Sequence, residues 1–339
     1  MNKLLTLVIP TYNMERFLPE CLNTLIVDDE HMRLLEVLIV IDGSTDRSAQ
    51  IGQEYADTYP DTFRVIIKDN GNYGSCVNRG LDEAKGKYIK TLDADDKFQT
   101  DNLSRFLSEL QDVDADMVIS DYIGWNMQTG QIDHHCYNLP TPDLFGIEQL
   151  KFEPNSPLMM HAVAYRTDLL RQMHYRQTEG IFYTDQEWTF MPVSRVNRIW
   201  YFPHTLYIYR VGREGQTVDI RVWVRHAEQE IVGLKKMTDF YNGLRSDSSP
   251  ALRSFMEYRL YFRIVAIYNH IFVRSFGEVE DVLVSDFDSH VANSLPQLYL
   301  PVEHDVRYHG LNVIGLWRRH PWLYRVYLRI RKFAHGLFK

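Results

Sequence analysis

The first 120 residues alternate between short β-rich runs and helical patterns, and this alternation limits the folds open to the chain. The β-rich runs are apolar on both faces, as strands are when helices cover both sides of a parallel sheet. Strands of this kind that alternate with helices indicate an α/β fold. We therefore predict a mainly parallel sheet with helices on both faces. Its strands are expected at Leu4–Ile9, Val37–Ile41, Phe63–Ile67, Tyr88–Leu92 and Met117–Ser120.

The pattern changes twice along the chain. Two helical segments between the early strands each have one apolar face, and the second is predicted to be capped by Thr100 or Asp101. After residue 125 prolines interrupt the sequence, and two further β-like runs lie within residues 198–210. Beyond residue 220 the periodicity is helical. We therefore predict an α/β domain over residues 1–220 and a helical region over residues 221–339.

Polar residues follow three of the predicted strands. The first strand runs into Pro10-Thr11-Tyr12-Asn13, the second into Asp42-Gly43-Ser44-Thr45-Asp46 and the fourth into Asp93-Ala94-Asp95-Asp96. Ligands of α/β sheets bind beyond the carboxyl ends of the strands, so these residues are candidates for a binding site. Any one of them is also an ordinary turn residue. Turn formation does not, however, require three carboxylates within four residues.

The cluster of Asp93, Asp95 and Asp96 favours a bound cation. Carboxylates this close raise one another's pKa unless a positive charge offsets them. Oxygen ligands suit Mg²⁺ or Mn²⁺, which commonly join one or two carboxylates to substrate phosphates. The alternative is a solvated loop or a helix N-terminus that stabilises negative charge. The sequence favours a metal–diphosphate site.

The order and spacing of five motifs resemble the family-2 glycosyltransferases. The similarity covers roughly residues 4–125 and continues more weakly to about residue 220. The resemblance implies the GT-A (Rossmann-like) fold and an inverting, Mg²⁺- or Mn²⁺-dependent transfer from a nucleotide-sugar. The motifs are Val8-Ile9-Pro10-Thr11-Tyr12-Asn13, Asp42-Gly43-Ser44-Thr45-Asp46, Asn78-Arg79-Gly80, Ala84-Lys85-Gly86-Lys87-Tyr88-Ile89 and Leu92-Asp93-Ala94-Asp95-Asp96.

The resemblance implies a nucleotide-binding role for several residues. Pro10, Thr11 and Tyr12 would lie against the base, and Arg79 would stand near the base or the phosphates. Asp42 would accept a hydrogen bond from the uracil edge, which makes a UDP-sugar the expected donor. The family usually has an acidic residue before this position, where Ile41 stands here.

The metal and sugar contacts fall on the acidic cluster. By the resemblance, Asp93 would contact the ribose or the metal, and Asp95 would be the main metal ligand. Asp96 would hold the donor sugar or the metal.

An inverting transfer also needs a base to take the proton from the acceptor hydroxyl. Tyr183-Thr184-Asp185-Gln186-Glu187-Trp188 resembles the Glu-Asp motif of the family, with Thr184 where Glu is common. This alignment makes Asp185 the catalytic base, and Glu187 is the alternative base two residues later. The segment also fits a helix N-terminus capped by Thr184 or Asp185.

A later element, Tyr207 to Val218, resembles one that follows the base in bacterial polysaccharide glycosyltransferases. Its Arg210 and Arg213 are candidates for the diphosphate, since hydrogen bonds to charged oxygen are strong. The alternative for its tyrosines is aromatic packing on a strand. His161 and His204 are candidates for the acceptor side, although a single histidine is more often structural.

The C-terminal residues carry an unusual charge. The chain has 37 Lys and Arg against 45 Asp and Glu, and its net charge of −8 argues against nucleic-acid binding. Eight of the bases nevertheless follow Asp305, and no acidic residue does. Seven of these eight lie within residues 311–339, where they accompany an apolar helical stripe. Such a helix suits peripheral contact with an anionic membrane, and packing on the protein itself or on a partner subunit is the alternative.

Together these features predict a hexosyltransferase-type enzyme. It would move a sugar from a UDP-sugar to a glycan or lipid-linked acceptor in bacterial surface polysaccharide synthesis. The alternative is a non-catalytic module that binds a nucleotide-sugar or a glycan. The lack of G-x-G-x-x-G after the first strand argues against a nucleotide-dependent oxidoreductase. Three scattered cysteines favour a reducing compartment. We expect a cytoplasmic protein, with the inner face of the cell membrane and a homo-oligomer as further candidates.

Overall fold

The computed structural model describes residues 3–150, 157–213, 219–275 and 277–337. The chain divides into two compact units, Met1–Glu214 and Gly215–Lys339. The first unit is built on one large sheet and the second is mostly helical.

Among the described residues, the first unit contains a nine-stranded sheet in the order β3-β2-β1-β4-β8-β6-β9-β5, with β7 paired to β6. Six strands run in one direction, and β5, β7 and β8 run against them. This mixed but mainly parallel arrangement confirms the predicted fold class. The strands are β1 (Leu5–Thr11), β2 (Leu35–Asp42), β3 (Phe63–Lys68), β4 (Tyr88–Thr91), β5 (Lys97–Phe98), β6 (Met117–Asn126), β7 (Ile132–His135), β8 (Val163–Arg166) and β9 (Ile199–Val211).

The register of the central strands gathers their carboxyl ends at one edge. β1 pairs in parallel with β2 and with β4, so that Thr11 lies opposite Ile41 and Val8 lies opposite Thr91. Every residue of β2 is buried, and β1 is buried except at Pro10. Strands covered on both faces read as continuous apolar runs, which is why these two could be predicted.

Helices cover the sheet. Helix α4 lies close to β1 because Gly80 has no side chain: a Cβ there would stand 2.4 Å from a methyl carbon of Val8. In α5 the predicted apolar face is buried, but the predicted cap was wrong. The helix begins at Thr100 after Gln99, and the Thr100 hydroxyl donates to the Thr24 carbonyl oxygen instead. The helices are α1 (Leu18–Asn23), α2 (Asp29–Leu34), α3 (Ser48–Thr58), α4 (Asn72–Glu83), α5 (Thr100–Leu110), α6 (Thr167–Gln172) and α7 (Asp185–Trp188).

The last strand of the sheet is longer than the sequence suggests. The two β-like runs predicted within residues 198–210 form one strand, β9, of 13 residues. Its register with β6 shifts on either side of Asp121, and Pro203 is exposed there. Proline cannot donate to the ladder, so the pairing is irregular at this point while the strand continues.

The second unit consists of packed helices and one short two-stranded ladder, β10 (Arg307–Tyr308) with β11 (Leu311–Asn312). The predicted helical character of this region is confirmed. Within the described part of the chain, no helix combines the length and the apolar character needed to cross a membrane. The helices are α8 (Ile220–Asn242), α9 (Pro250–Tyr268), α10 (Asp281–Ser294), α11 (Pro296–Asp305), α12 (Val313–Arg319) and α13 (Pro321–Leu337), and α9 continues into a π-helical turn at Asn269–Arg274.

Candidate functional site

The carboxyl ends of β1 and β2 carry the predicted nucleotide residues. Thr11 is buried at the end of β1, and the Tyr12 ring is 52% exposed just beyond it. Asp42 is buried at the end of β2. Its Oδ1 accepts hydrogen bonds from Lys68 Nζ at 2.6 Å and from the Gly71 backbone N–H at 2.9 Å. The structure therefore holds a fixed carboxylate beside an exposed aromatic ring.

Two basic residues, Lys68 and Arg79, differ in whether they lie at this edge of the sheet. Lys68 was not predicted, although its place at the end of β3 could have marked it. Arg79, by contrast, is not brought to the site. Its guanidinium is half-exposed on α4 and pairs with Glu83, which also pairs with Arg64 near the start of β3. Because Arg64 lies at the other end of its strand, Arg79 is directed away from the carboxyl edge.

The acidic cluster follows β4 and is held by β9. The Asp96 carboxylate is buried and accepts hydrogen bonds from the Tyr207 hydroxyl and from the Arg210 backbone N–H, both at 2.7 Å. The Tyr207 oxygen in turn accepts from the Asp93 backbone N–H at 3.1 Å. Tyr207 therefore fixes both ends of the cluster.

The two candidate arginines have separate partners. Arg213 Nε lies 2.7 Å from Asp95 Oδ2, so this guanidinium belongs to the acidic cluster. Arg210 Nη2 lies 2.7 Å from Glu20, and its guanidinium is also within 6 Å of the Phe17 and Trp125 ring centroids. Arg213 is thus the better placed of the two for a diphosphate.

Burial changes the protonation of the cluster. Removal from water raises the pKa of Asp93 and raises that of Asp96 well above its ordinary value. In both cases the charge of Asp95 adds to the effect. A carboxylate in such a place stays ionised only if a positive charge compensates it. The cluster is therefore suited to a cation.

The donor set itself fits a divalent metal. One ligand atom from each of Asp93, Asp96 and His161 lies within 4.8 Å of the others. Asp93 Oδ1 and His161 Nδ1 are buried and have no hydrogen-bond partner among the described residues. Burial, and next the charge of Lys90, lowers the pKa of His161 to about 3, so its imidazole is neutral and able to coordinate a metal. Sequence reasoning considered His161 for the acceptor side only.

The two candidate bases differ in their surroundings. Glu187 is fully buried, and its carboxylate accepts hydrogen bonds from the Thr178 hydroxyl at 2.6 Å and the Thr178 backbone N–H at 3.0 Å. Asp185 is partly exposed as the first residue of α7, and it accepts from the Gln186 amide at 2.8 Å. Its charge contributes to the raised pKa of Asp93, so it lies near the acidic cluster.

Helix α7 also decides between the capping alternatives. The N-cap residue is Thr184, and its side chain makes no capping hydrogen bond. Asp185 lies inside the helix, so neither side chain caps it in the predicted way.

Tyr73 is a further residue of the site that the sequence analysis did not identify. Its hydroxyl is near Asp93, and burial raises its pKa well above the ordinary value.

Comparisons with known proteins point to one family. The model of glycosyl transferase family 2 matches residues 6–173. An uncharacterized glycosyltransferase of Mycoplasma pneumoniae is 29% identical over 63% of this chain and 70% of its own length. The glycosyltransferase GlyG of Streptococcus pneumoniae is 25% identical over 62% of this chain and 71% of its own. The uncharacterized glycosyltransferase EpsJ of Bacillus subtilis is 27% identical over 62% of both.

Two solved structures share the fold. Residues 1–349 of S. aureus TarS in complex with UDP-GlcNAc give a TM-score of 0.63 at 18% identity, over 89% of this chain and 90% of that one. The mannosyltransferase PcManGT of Pyrobaculum calidifontis, in complex with GDP-Man and Mn²⁺, gives 0.57 at 17% identity, over 98% and 85%. At these identities the likeness concerns the fold alone.

Proposed function

Since residues 6–173 place this chain in glycosyl transferase family 2 and make it a glycosyltransferase, we propose that it transfers a hexose from a UDP-sugar. The acceptor is a glycan or a lipid-linked sugar of a bacterial surface polysaccharide. Transfer proceeds with inversion and uses Mg²⁺ or Mn²⁺. The proposal depends on one observation above all: Asp185 stands near the acidic cluster that follows β4.

The nucleotide binds at the ends of β1 and β2. Pro10, Thr11 and Tyr12 line the base, and Tyr12 offers its exposed ring. The Asp42 carboxylate accepts a hydrogen bond from the uracil N–H, and its two donors, Lys68 and the Gly71 N–H, hold it in position. The TarS structures with UDP-GlcNAc and UDP support the choice of uridine, while the neighbour bound to GDP-Man makes guanosine the competing base.

Asp185 acts as the general base. Its carboxylate takes the proton from the acceptor hydroxyl as that oxygen forms a bond to the anomeric carbon. The bond from this carbon to the diphosphate breaks on the opposite face, so the configuration inverts and UDP leaves. The buried Glu187 instead fixes the chain at Thr178. Asp185 is therefore preferred over Glu187.

The diphosphate is held by cationic groups. Arg213 transfers part of its pairing from Asp95 to the phosphate oxygens, where charged hydrogen bonds are strong. Carboxylates of the cluster of Asp93, Asp95 and Asp96 would hold a divalent cation, which would supply positive charge to offset that of the departing diphosphate. Arg79 stays a candidate for the nucleotide only if its side chain leaves Glu83.

The C-terminal helix α13 gives the enzyme a surface for an anionic membrane. Trp322, Val326, Ile330 and Phe333 are spaced four, four and three residues apart, so they share one helix face, and each is exposed. The exposed bases Arg325, Arg329 and Lys332 lie beside this apolar stripe. Apolar side chains that enter the lipid beside bases at the head groups are typical of peripheral helices. A membrane at the cytoplasmic face is therefore the proposed location.

Release of UDP tests the proposal. The full chain is incubated with Mn²⁺, a panel of UDP-sugars and lipid extracts that contain polysaccharide precursors. We expect acceptor-dependent UDP release from one donor. If UDP binds in a calorimeter but no donor and acceptor pair releases it, the chain is a binding module instead. A GDP-sugar that reacts when no UDP-sugar does would contradict the role of Asp42.

A further inference from the structure

Two buried polar atoms near the end of β4 lack a protein partner. They are Asp93 Oδ1 and His161 Nδ1, and neither has a hydrogen bond to any described residue. Most buried polar atoms in folded proteins are hydrogen-bonded, and an unpaired one destabilises the folded state. These two occur in one cluster, because one ligand atom from each of Asp93, Asp96 and His161 lies within 4.8 Å of the others. A shared partner for all three residues is the simplest explanation.

His161 is held rigidly. Lys90 Nζ donates hydrogen bonds to the carbonyl oxygens of His161 at 2.6 Å and Val163 at 3.3 Å, so the backbone is fixed. The imidazole stacks on the Tyr209 ring at a centroid distance of 4.3 Å and lies 4.8 Å from the Tyr207 ring. The residue is 95% buried. A buried imidazole with both its backbone and its ring plane fixed has the properties of a preorganised ligand.

Asp96 is also held by hydrogen bonds, and its carboxylate oxygens can still accept from a further partner. The Tyr207 hydroxyl donates to Oδ2 and the Arg210 backbone N–H donates to Oδ1. Each carboxylate oxygen accepts through two lone pairs, so each keeps one for a further partner. Hydrogen bonds of this kind orient a metal-ligating carboxylate from the side away from the metal.

We propose that Asp93, Asp96 and His161 form a mixed oxygen–nitrogen site for a divalent cation of the Mn²⁺ or Co²⁺ class. The inference rests on the proposed function, since the cation would serve the same donor site. It differs from the sequence expectation, which made Asp95 the main ligand. Asp95 lies outside this trio and pairs with Arg213. Imidazole suits transition metals, whereas Mg²⁺ prefers oxygen ligands alone, so His161 selects against Mg²⁺.

Calorimetric titration with metal alone tests the ligand set. The full chain is titrated with MnCl₂ and, separately, with MgCl₂, in the absence of nucleotide. We expect His161→Gln to weaken Mn²⁺ binding about tenfold or more, since even outer-sphere partners of a metal cost 10–100-fold when removed. Mg²⁺ binding should change less. His204→Gln is the matched control, because His204 is only partly buried and packs on Phe202 outside the trio.

A spectroscopic measurement on the unaltered protein removes the risk that a variant misfolds. Electron spin echo modulation of bound Mn²⁺ should show coupling to a nitrogen nucleus, and histidine labelled with ¹⁵N should change the modulation. Absence of this coupling, or unchanged Mn²⁺ affinity in a folded His161→Gln variant, overturns the inference while leaving the proposed transfer intact. UDP release measured in parallel separates the two claims: Mn²⁺ bound through nitrogen without any transfer would support the site and contradict the function.

Discussion

Charged side chains near the carboxyl ends of the strands are each held by a specific partner. Asp42 is held by Lys68, Asp96 by Tyr207 and Glu187 by Thr178. Ordering these groups costs side-chain entropy during folding rather than during binding, so the site is preorganised for a charged ligand.

Asp42→Asn tests the base contact. We expect the affinity for UDP to fall about tenfold or more, because a hydrogen bond to a charged acceptor contributes roughly 1.5–3 kcal/mol and a neutral one less. The amide would also face the donors Lys68 and the Gly71 N–H. Calorimetry with UDP measures the effect, and Asp69→Asn on the exposed loop after β3 is the control. Wild-type affinity in Asp42→Asn would exclude the proposed contact.

The buried Lys90 should make the stability of the first unit depend on pH. Burial lowers the pKa of Lys90 from its ordinary 10.5 to about 7 in the folded protein. Between these values the unfolded chain binds the extra proton, so the free energy of unfolding of the first unit should rise with pH, by at most about 1.4 kcal/mol per pH unit. Lys90→Met should remove this rise. Urea unfolding at pH 7, 8 and 9 measures both slopes, and equal slopes would show that Lys90 titrates normally.

The site residues that could be predicted from sequence are those that directly follow a predicted strand, because the strand fixes where they lie. Asp42 and Asp93 could be placed at a common edge because parallel strands end together. His161 could not, since its approach to Asp93 depends on how β8 pairs with β4 in the antiparallel direction. No local signal reports that pairing. Lys68 was missed for another reason: neither Lys68 nor the Asp69-Asn70-Gly71-Asn72 loop that follows β3 belongs to any of the five motifs.

Secondary-structure elements position the site through close packing. Helix α4 can approach β1 only because Gly80 lacks a Cβ, and the helix then carries Tyr73 towards Asp93. The burial of β1 and β2 was readable from their apolar runs. The continuity of β9 was not, since Pro203 in the sequence favours a break that the sheet tolerates at a register shift.

A pair of glycine substitutions tests this packing. A Cβ at Gly80 would overlap Val8, so Gly80→Ala should destabilise the first unit by about 1–3 kcal/mol through overpacking. Gly233→Ala in α8 meets no atom within 4 Å and should stabilise the second unit by up to about 1 kcal/mol through helix propensity. Calorimetric unfolding of each variant measures both shifts. A neutral Gly80→Ala would mean that α4 does not lie tightly on β1.

At the scale of the whole molecule, basic residues are concentrated after Asp305, where no acidic residue occurs. Some of these bases pair with other groups of the second unit. Arg318 is buried between Asp288 and Glu303, and Arg331 donates to the Phe272 carbonyl oxygen. Such bases stabilise the second unit. The sequence could identify the amphipathic helix but not which bases face inward, because that depends on the helices packed against it.

Vesicle binding tests the outward face of α13. The full chain should co-sediment with phosphatidylglycerol vesicles at low salt and less at high salt, and it should not co-sediment with phosphatidylcholine vesicles. Substituting Trp322, Ile330 and Phe333 together by Ser should abolish binding. Val282→Ser, an equally exposed apolar site on α10, is the control. If the triple variant still binds, the membrane contacts another surface and the proposal for α13 is wrong. If the full chain instead forms a concentration-dependent dimer that the triple variant does not form, this face of α13 binds a second copy of the chain.

The central claim is that Asp185, and not Glu187, removes the acceptor proton. Asp185→Asn and Glu187→Gln should be compared with the wild-type protein for UDP binding and for acceptor-dependent UDP release. We expect Asp185→Asn to bind UDP normally and to lose at least about 100-fold in the rate of release. Glu187→Gln should act mainly on thermal stability. Wild-type turnover in Asp185→Asn, with UDP binding intact, would contradict the account.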